Sequence, residues 1–132
     1  MADIKEAEIT HQVADITLTT TTETVIVAAP KLTAPFHTFR AIIIAWGQLT
    51  LGTGTTTVTP RIRRGAAIAD PLVGEANVEA IKTAAGSTEP FFITVSEFLE
   101  GRESVQYCLT LQQAAATADG SCVQSAILVL IL

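Results

Sequence analysis

The sequence predicts an all-β protein, a single antiparallel β-sandwich of about eight strands carried behind an N-terminal arm. Three observations lead there. Thr, Val and Ile, all favoured on a pleated surface, recur along the whole chain. Apolar residues alternate in short runs separated by Gly-, Pro- and Ser-containing breaks, and no long amphipathic helix pattern occurs. The chain also ends in Ile127-Leu128-Val129-Leu130-Ile131-Leu132, six branched aliphatics in succession. A half-buried strand alternates apolar with polar, so a run apolar at every position predicts cover on both faces. One face can fill the core; the other calls for a second layer.

At 132 residues the chain suits one domain with a real core, and no linker or internal repeat divides it. Residues 1–12 differ in character, mixing Asp3, Lys5, Glu6 and Glu8 with isolated apolar residues. They are expected to form an arm, disordered alone or laid along a neighbour, with residues 13–132 as the sandwich domain. Apolar residues make up 48% and charged residues 16%, against a usual quarter or so, which favours buried subunit contacts. A formal net charge of −5 argues against nucleic-acid binding through phosphate neutralisation. The start of the chain is polar and acidic, unlike a secretory leader. The final run is shorter than the ~20 residues a membrane-spanning helix needs, so no membrane partner is expected.

Residues 14–29 predict two short strands, or one strand broken at Thr21-Thr22, ended by Pro30. Phe36 to Leu51 is the strongest strand signal, with apolar residues on both faces. Gly52-Thr53-Gly54 supplies turn chemistry, and Thr56 to Arg64 is expected as the partner strand of an antiparallel hairpin. Pro60 inside it suggests an edge or a bulge. Residues 65–90 are weaker: Ala76 to Ala85 suits one or two helical turns, and Ala85 to Pro90 a loop. Phe91 to Phe98 and Ser104 to Gln113 read as strands around a turn at Gly101, and the Ala114–Gly120 loop leads into the terminal strand.

The run Ala41-Ile42-Ile43-Ile44-Ala45-Trp46-Gly47, the stretch Gly54 to Gly65, the segments Ala84 to Thr88 and Ser104 to Leu111, and the terminal strand together resemble a known architecture. The pattern is similar to small jelly-roll domains of bacteriophage virion proteins, of the capsid decoration and fibre-head type, and to the TNF-like trimeric jelly roll. The similarity covers roughly residues 36–132 and lies in rhythm and strand order. It implies a non-enzymatic virion protein made in a host cytoplasm, assembling as a homo-oligomer, a trimer for preference, and docking on a major capsid protein or another virion component. The N-terminal arm and the Ala114–Gly120 loop match nothing in that pattern.

No catalytic constellation stands against these expectations. His11 and His37 are too few for a jelly-roll metal centre, so neither metal nor cofactor is expected. Cys108 and Cys122, flanking the last predicted hairpin, are not opposed there; a disulfide needs Cα atoms within ~7 Å, so two separate buried thiols are expected. Gly52 to Thr55 lacks the Lys and the strand-to-helix setting of a phosphate loop. Glu97, Glu100 and Glu103 could form the acid pair of a hydrolase, but they gather at a turn where solvated charge is expected. Trp46 and Tyr107 are expected in the core. Arg61, Arg63 and Arg64 suit a phosphate or glycan patch, or ion pairs with Glu75, Glu79, Glu97, Glu100 or Glu103, within the subunit or across an interface. The interface reading is preferred. The expected contact residues are therefore Ile127, Leu128, Val129, Leu130, Ile131 and Leu132, with Arg61, Arg63 and Arg64 in polar contacts. The competing function is a carbohydrate- or receptor-binding module of a fibre tip, using loops at Thr53 to Thr56 or Ala114 to Asp119.

Overall fold

Strand-forming runs dominate the chain, and the computed structural model arranges them in two facing sheets. It describes residues 4, 6–18, 21–35, 37–52, 56–76, 78–80, 87–114 and 120–132. Twelve strands occur among these residues: β1 (Glu6–His11), β2 (Ile16–Leu18), β3 (Thr24–Ala28), β4 (Leu32–Thr33), β5 (Phe39–Leu51), β6 (Thr56–Arg64), β7 (Leu72–Glu75), β8 (Val78–Ala80), β9 (Thr88–Leu99), β10 (Ser104–Val105), β11 (Tyr107–Gln113) and β12 (Gly120–Ile131). The first sheet runs β1-β12-β5-β9, with β2 also on β12. The second runs β3-β11-β6-β7, with β8 also on β6, and β4 pairs with β10. Every strand pairing among the described residues is antiparallel. This is the expected all-β jelly-roll sandwich.

The core lies between the sheets. Ala41, Ile43 and Ala45 of β5 and Ile127, Val129 and Ile131 of β12 face Val58 and Ile62 of β6 and Leu109 and Leu111 of β11, all essentially inaccessible to water. Side-by-side residues alternate in size: Ala41 pairs with Ile131 and Ala45 with Ile127, so the larger side chains fill the room the alanines leave.

The expected hairpins are not formed. β5 is paired along both edges, to β12 and to β9, whereas β6 belongs to the other sheet. Leu51 ends β5 in the first sheet and Thr56 begins β6 in the second, so the two strands, close in sequence, lie in facing layers rather than side by side. The last two long strands are divided in the same way. Cys108 pairs with Ala28 and Arg63 in the second sheet, and Cys122 with Leu49 and Ile16 in the first. Both thiols are buried and free.

Other differences are local. Residues 78–80, expected to be helical, form β8, because Thr56 to Val58 offers them an open strand edge. β9 begins at Thr88, inside the expected loop. β6 is not an edge strand. Pro60 stands where its neighbour changes from β8 to β7, and Ala76 N donates to Pro60 O (2.9 Å). The missing proline N–H falls at that break in the ladder. Residues 6–11, part of the expected arm, run along β12 of their own chain. Phe36 lies outside the described residues.

Gly47 marks a close approach. It sits in register between Ser125 and Phe91, and a Cβ there would come within 2.7 Å of the Phe91 ring and collide with the Gln124 carbonyl. Gly47→Ala is expected to lower stability in urea unfolding by about 1–3 kcal/mol. Combined with Phe91→Leu, which makes room, the loss should be smaller than the sum of the two single changes. Additive losses would show that the ring does not set the requirement.

Candidate assembly face

The outer face of the first sheet follows from the register. Its rows are Ala7–Leu130–Ile42–Ser96, then Ile9–Leu128–Ile44–Thr94, then His11–Ala126–Trp46–Phe92. Ile42, Ile44, Trp46, Leu128, Leu130 and Leu132 are only half-buried there, and Ile9, Phe92 and Phe98 are 52%, 62% and 73% exposed. Arg40 lies over the Phe98 ring, 5.7 Å from its centroid, beside a hollow of about 340 Å³ that also reaches Leu132. No carboxylate occupies these rows. Contiguous apolar surface of this kind marks an interaction site more often than a solvated one.

The terminal strand thus serves two layers. Ile127, Val129 and Ile131 point into the core, and Leu128, Leu130 and Leu132 lie on the outer face. Trp46, expected in the core, is on this outer face because it shares a row with Ala126 and Phe92. Tyr107 is in the core, fully buried.

Arg61, Arg63 and Arg64 are engaged within the chain. Glu23, just before β3, reaches over Thr110 of β11 to the arginines of β6. It accepts Arg63 Nε (2.6 Å) and Nη2 (2.8 Å), Arg61 Nη1 (3.0 Å) and Thr110 Oγ1 (2.7 Å). Arg61 Nε also donates to Glu75 of β7 (2.9 Å) and its Nη1 to Gln112 (2.6 Å), while Arg63 Nη1 holds the Asp70 carbonyl (2.9 Å). One carboxylate therefore ties β3, β11 and β6 together. Arg64 turns the other way, forming a two-bond contact with Glu97 of β9 (2.8 and 3.2 Å). Tyr107 Oη donates to the same carboxylate (2.7 Å), so this cluster joins the two sheets. Glu97 is spent on that joint and is not half of an acid pair.

Glu23 was not singled out in the sequence, where it is one acid in a Thr-rich stretch. Gln12 is a second such residue. Its Nε2 donates to the carbonyls of Cys122 (2.7 Å) and Ala14 (2.8 Å), and its Oε1 accepts Ser125 Oγ (2.6 Å) and Cys122 Sγ (3.2 Å). It fills the irregularity between Cys122 and Gln124, where β1 gives way to β2 along the same edge of β12.

Burial pushes both thiols up to about 11, Cys122 among core side chains and Cys108 beneath Arg63 and the loop at Asp70. Burial, reinforced by Glu97, also lifts the Tyr107 phenol above its usual value. No group of three metal-ligating side chains occurs among the described residues, and His11 and His37 are both exposed. Residues 53–55 and 115–119, where the glycan loops were expected, lie outside the described residues. Among the described residues, no helix is long and apolar enough to cross a membrane.

Burial would raise the Glu23 carboxyl, but the hydrogen bonds from Arg63 and Thr110 and the charges of Arg63 and Arg61 outweigh it and hold it below the usual carboxylate range. A carboxylate with a lowered folded value stabilises fully above its unfolded value of about 4.3, and that contribution is lost as pH falls through the folded value. Urea midpoints of the native protein should therefore drop with acidification below about pH 4. Glu23→Gln should lower the pH 7 midpoint and flatten the acid slope. An unchanged slope in the variant would place the acid sensitivity elsewhere.

No family model matches the chain, and no curated protein matches it. Solved structures do share its fold. The TNF protein Eiger of S. frugiperda aligns with a TM-score of 0.56 and 10% identity, over 96% of this chain and 92% of that one. A chain of the infectious bursal disease virus Gt strain aligns at 0.54 and 9% identity, over 98% of this chain and 34% of its own length. VP2 of the subviral particle of the same virus gives 0.50, with 9% identity and the same coverage. The chain spans about a third of those viral chains. Its structural neighbours are TNF-like and viral capsid jelly rolls.

Proposed function

We propose that this chain is a non-enzymatic structural subunit of a virus particle that assembles with copies of itself through the outer face of its first sheet. The observation that carries this reading is the uninterrupted apolar surface formed by Ile42, Ile44 and Trp46 of β5 with Leu128 and Leu130 of β12, flanked by Phe92 and Phe98. Charge favours a second copy as the occupant. Each chain carries a net charge of −5, so copies repel over most of their surface and approach most favourably through a face whose rows hold no acidic side chain. Residues Ile127 to Leu132 supply the centre of the contact, their inner side chains fixing the strand and their outer ones meeting the neighbour. Arg61, Arg63 and Arg64 contribute by holding the second sheet rigid, with any polar contact to a partner secondary to their ion pairs.

A phage capsid decoration subunit is the fullest form of the reading: a homotrimer seated on the major capsid protein. Subunits of the infectious bursal disease virus particle share the fold, and a particle-borne role extends that likeness to this chain.

Light scattering on the purified protein at micromolar concentration should return a mass of three 13.9 kDa chains. Ile44→Lys with Leu130→Lys should give a folded monomer, with its β-sheet circular dichroism intact. A monomeric native protein, or a double variant that still assembles, would contradict the proposal.

A further inference from the structure

One end of the sandwich carries a cavity of about 280 Å³ that shares no residue with the assembly face. Lys31, Arg64 and Arg102 line it together with Gly65, Ser104 and Gln106. Three of the eight Lys and Arg residues of an acidic chain thus converge on one hollow, and no carboxylate lines it. Glu97 neutralises Arg64 from the inner side, while Glu100 and Glu103 share an exposed turn with Arg102 outside the cavity. Lys31 and Arg102 form no ion pair among the described residues. The lining itself is positive in a molecule that is negative overall, with Glu97 behind Arg64 and Asp70 behind Gly65.

The walls are preformed. Gly65 has φ +145°, a conformation that side chains rarely adopt, and a Cβ there would collide with the Asp70 carboxylate. That carboxylate accepts Ala66 N and Ala67 N (2.9 Å each), Arg63 holds the Asp70 carbonyl, and Arg64 N donates to Pro71 O (2.9 Å). Gln106 Nε2 fixes the opposite side through the Ala29 carbonyl (2.8 Å). These walls need little ordering, and a ligand would have to fix only the Lys31 and Arg102 side chains.

We propose that this cavity binds a small ligand bearing a sulfate or carboxylate group, of the size of one acidic sugar. Lys31 and Arg102 grip the charged group, and the Ser104 hydroxyl meets the uncharged part. A guanidinium fork matches the geometry of such oxyanions, and an ammonium adds a second charge that can follow the group. The volume, about 280 Å³, suits a single ring and lies just below the range of drug-sized ligand sites, which run from about 300 Å³ upward.

Amide-shift titrations of the intact protein, at constant ionic strength held with sodium chloride, test this with three probes: sodium sulfate, N-acetylglucosamine 6-sulfate and uncharged N-acetylglucosamine. The sulfated sugar should give saturable shifts at Gly65, Ser104 and Gln106, stronger than those of sulfate. Lys31→Gln and Arg102→Gln, both at exposed positions, should each weaken binding about tenfold, the loss of one charge-assisted bond. Sulfate binding as tightly as the sulfated sugar would support the anion grip and assign the ligand as a free anion. Equal binding of the uncharged sugar, absence of saturation at those amides, or unchanged affinity in both variants would overturn the proposal.

Discussion

The architecture depends on the pairing of β12 with β5. The two strands run side by side from Gly120–Leu51 to Ile131–Ala41, with one irregularity between Cys122 and Gln124. Inward, this pair supplies the floor of the core; outward, it presents an apolar ribbon. Both remaining edges are filled, by β1 and β2 on one side and by β9 on the other. Apolar residues at every position from Ala126 to Ile131 thus meet two demands that a simple alternating strand could not meet together.

The two sheets treat their outer faces differently. On the second sheet, Glu23, Arg61, Arg63 and Thr110 cover the strands with a hydrogen-bonded polar layer, and Cys108 is sealed beneath it. Such a surface is internally satisfied and gains little by meeting a partner. On the first sheet the side chains are Ile, Leu, Trp and Phe, whose exposure to water is unfavourable by about 25 cal/mol for each Å². This asymmetry is the reason for proposing the first sheet as the contact surface, while the Glu97–Arg64–Tyr107 joint ties the sheets together at one end.

The fold class was legible in the sequence because strand periodicity is local. Alternation in Phe39–Leu51 and the continuous apolar ending are visible without knowing any partner, as is the break between β2 and β3 at Thr21-Thr22. Strand pairing was not legible. Gly52-Thr53-Gly54 signals a reversal, but a reversal within a sheet and a crossing between sheets have the same local chemistry, and the two predicted hairpins failed on that ambiguity. The arginine cluster was visible as composition, yet its principal partner, Glu23, lies 38 residues from Arg61 and 40 from Arg63. Only the side-by-side placement of β3, β11 and β6 brings them together. Trp46 was misplaced for a related reason: a strand with apolar residues on both faces does not say which face is inside.

In the proposed assembly, the outer side chains of β12 and β5 are covered by another copy of the same chain. Methyl relaxation with a soluble gadolinium chelate reads this cover residue by residue. At high protein concentration the methyls of Ile44, Leu128 and Leu130 should be shielded nearly as well as that of the buried Ile127, and they should become accessible on dilution while Ile127 does not. Equal accessibility of the outer methyls at every concentration would mean that no second copy covers this face.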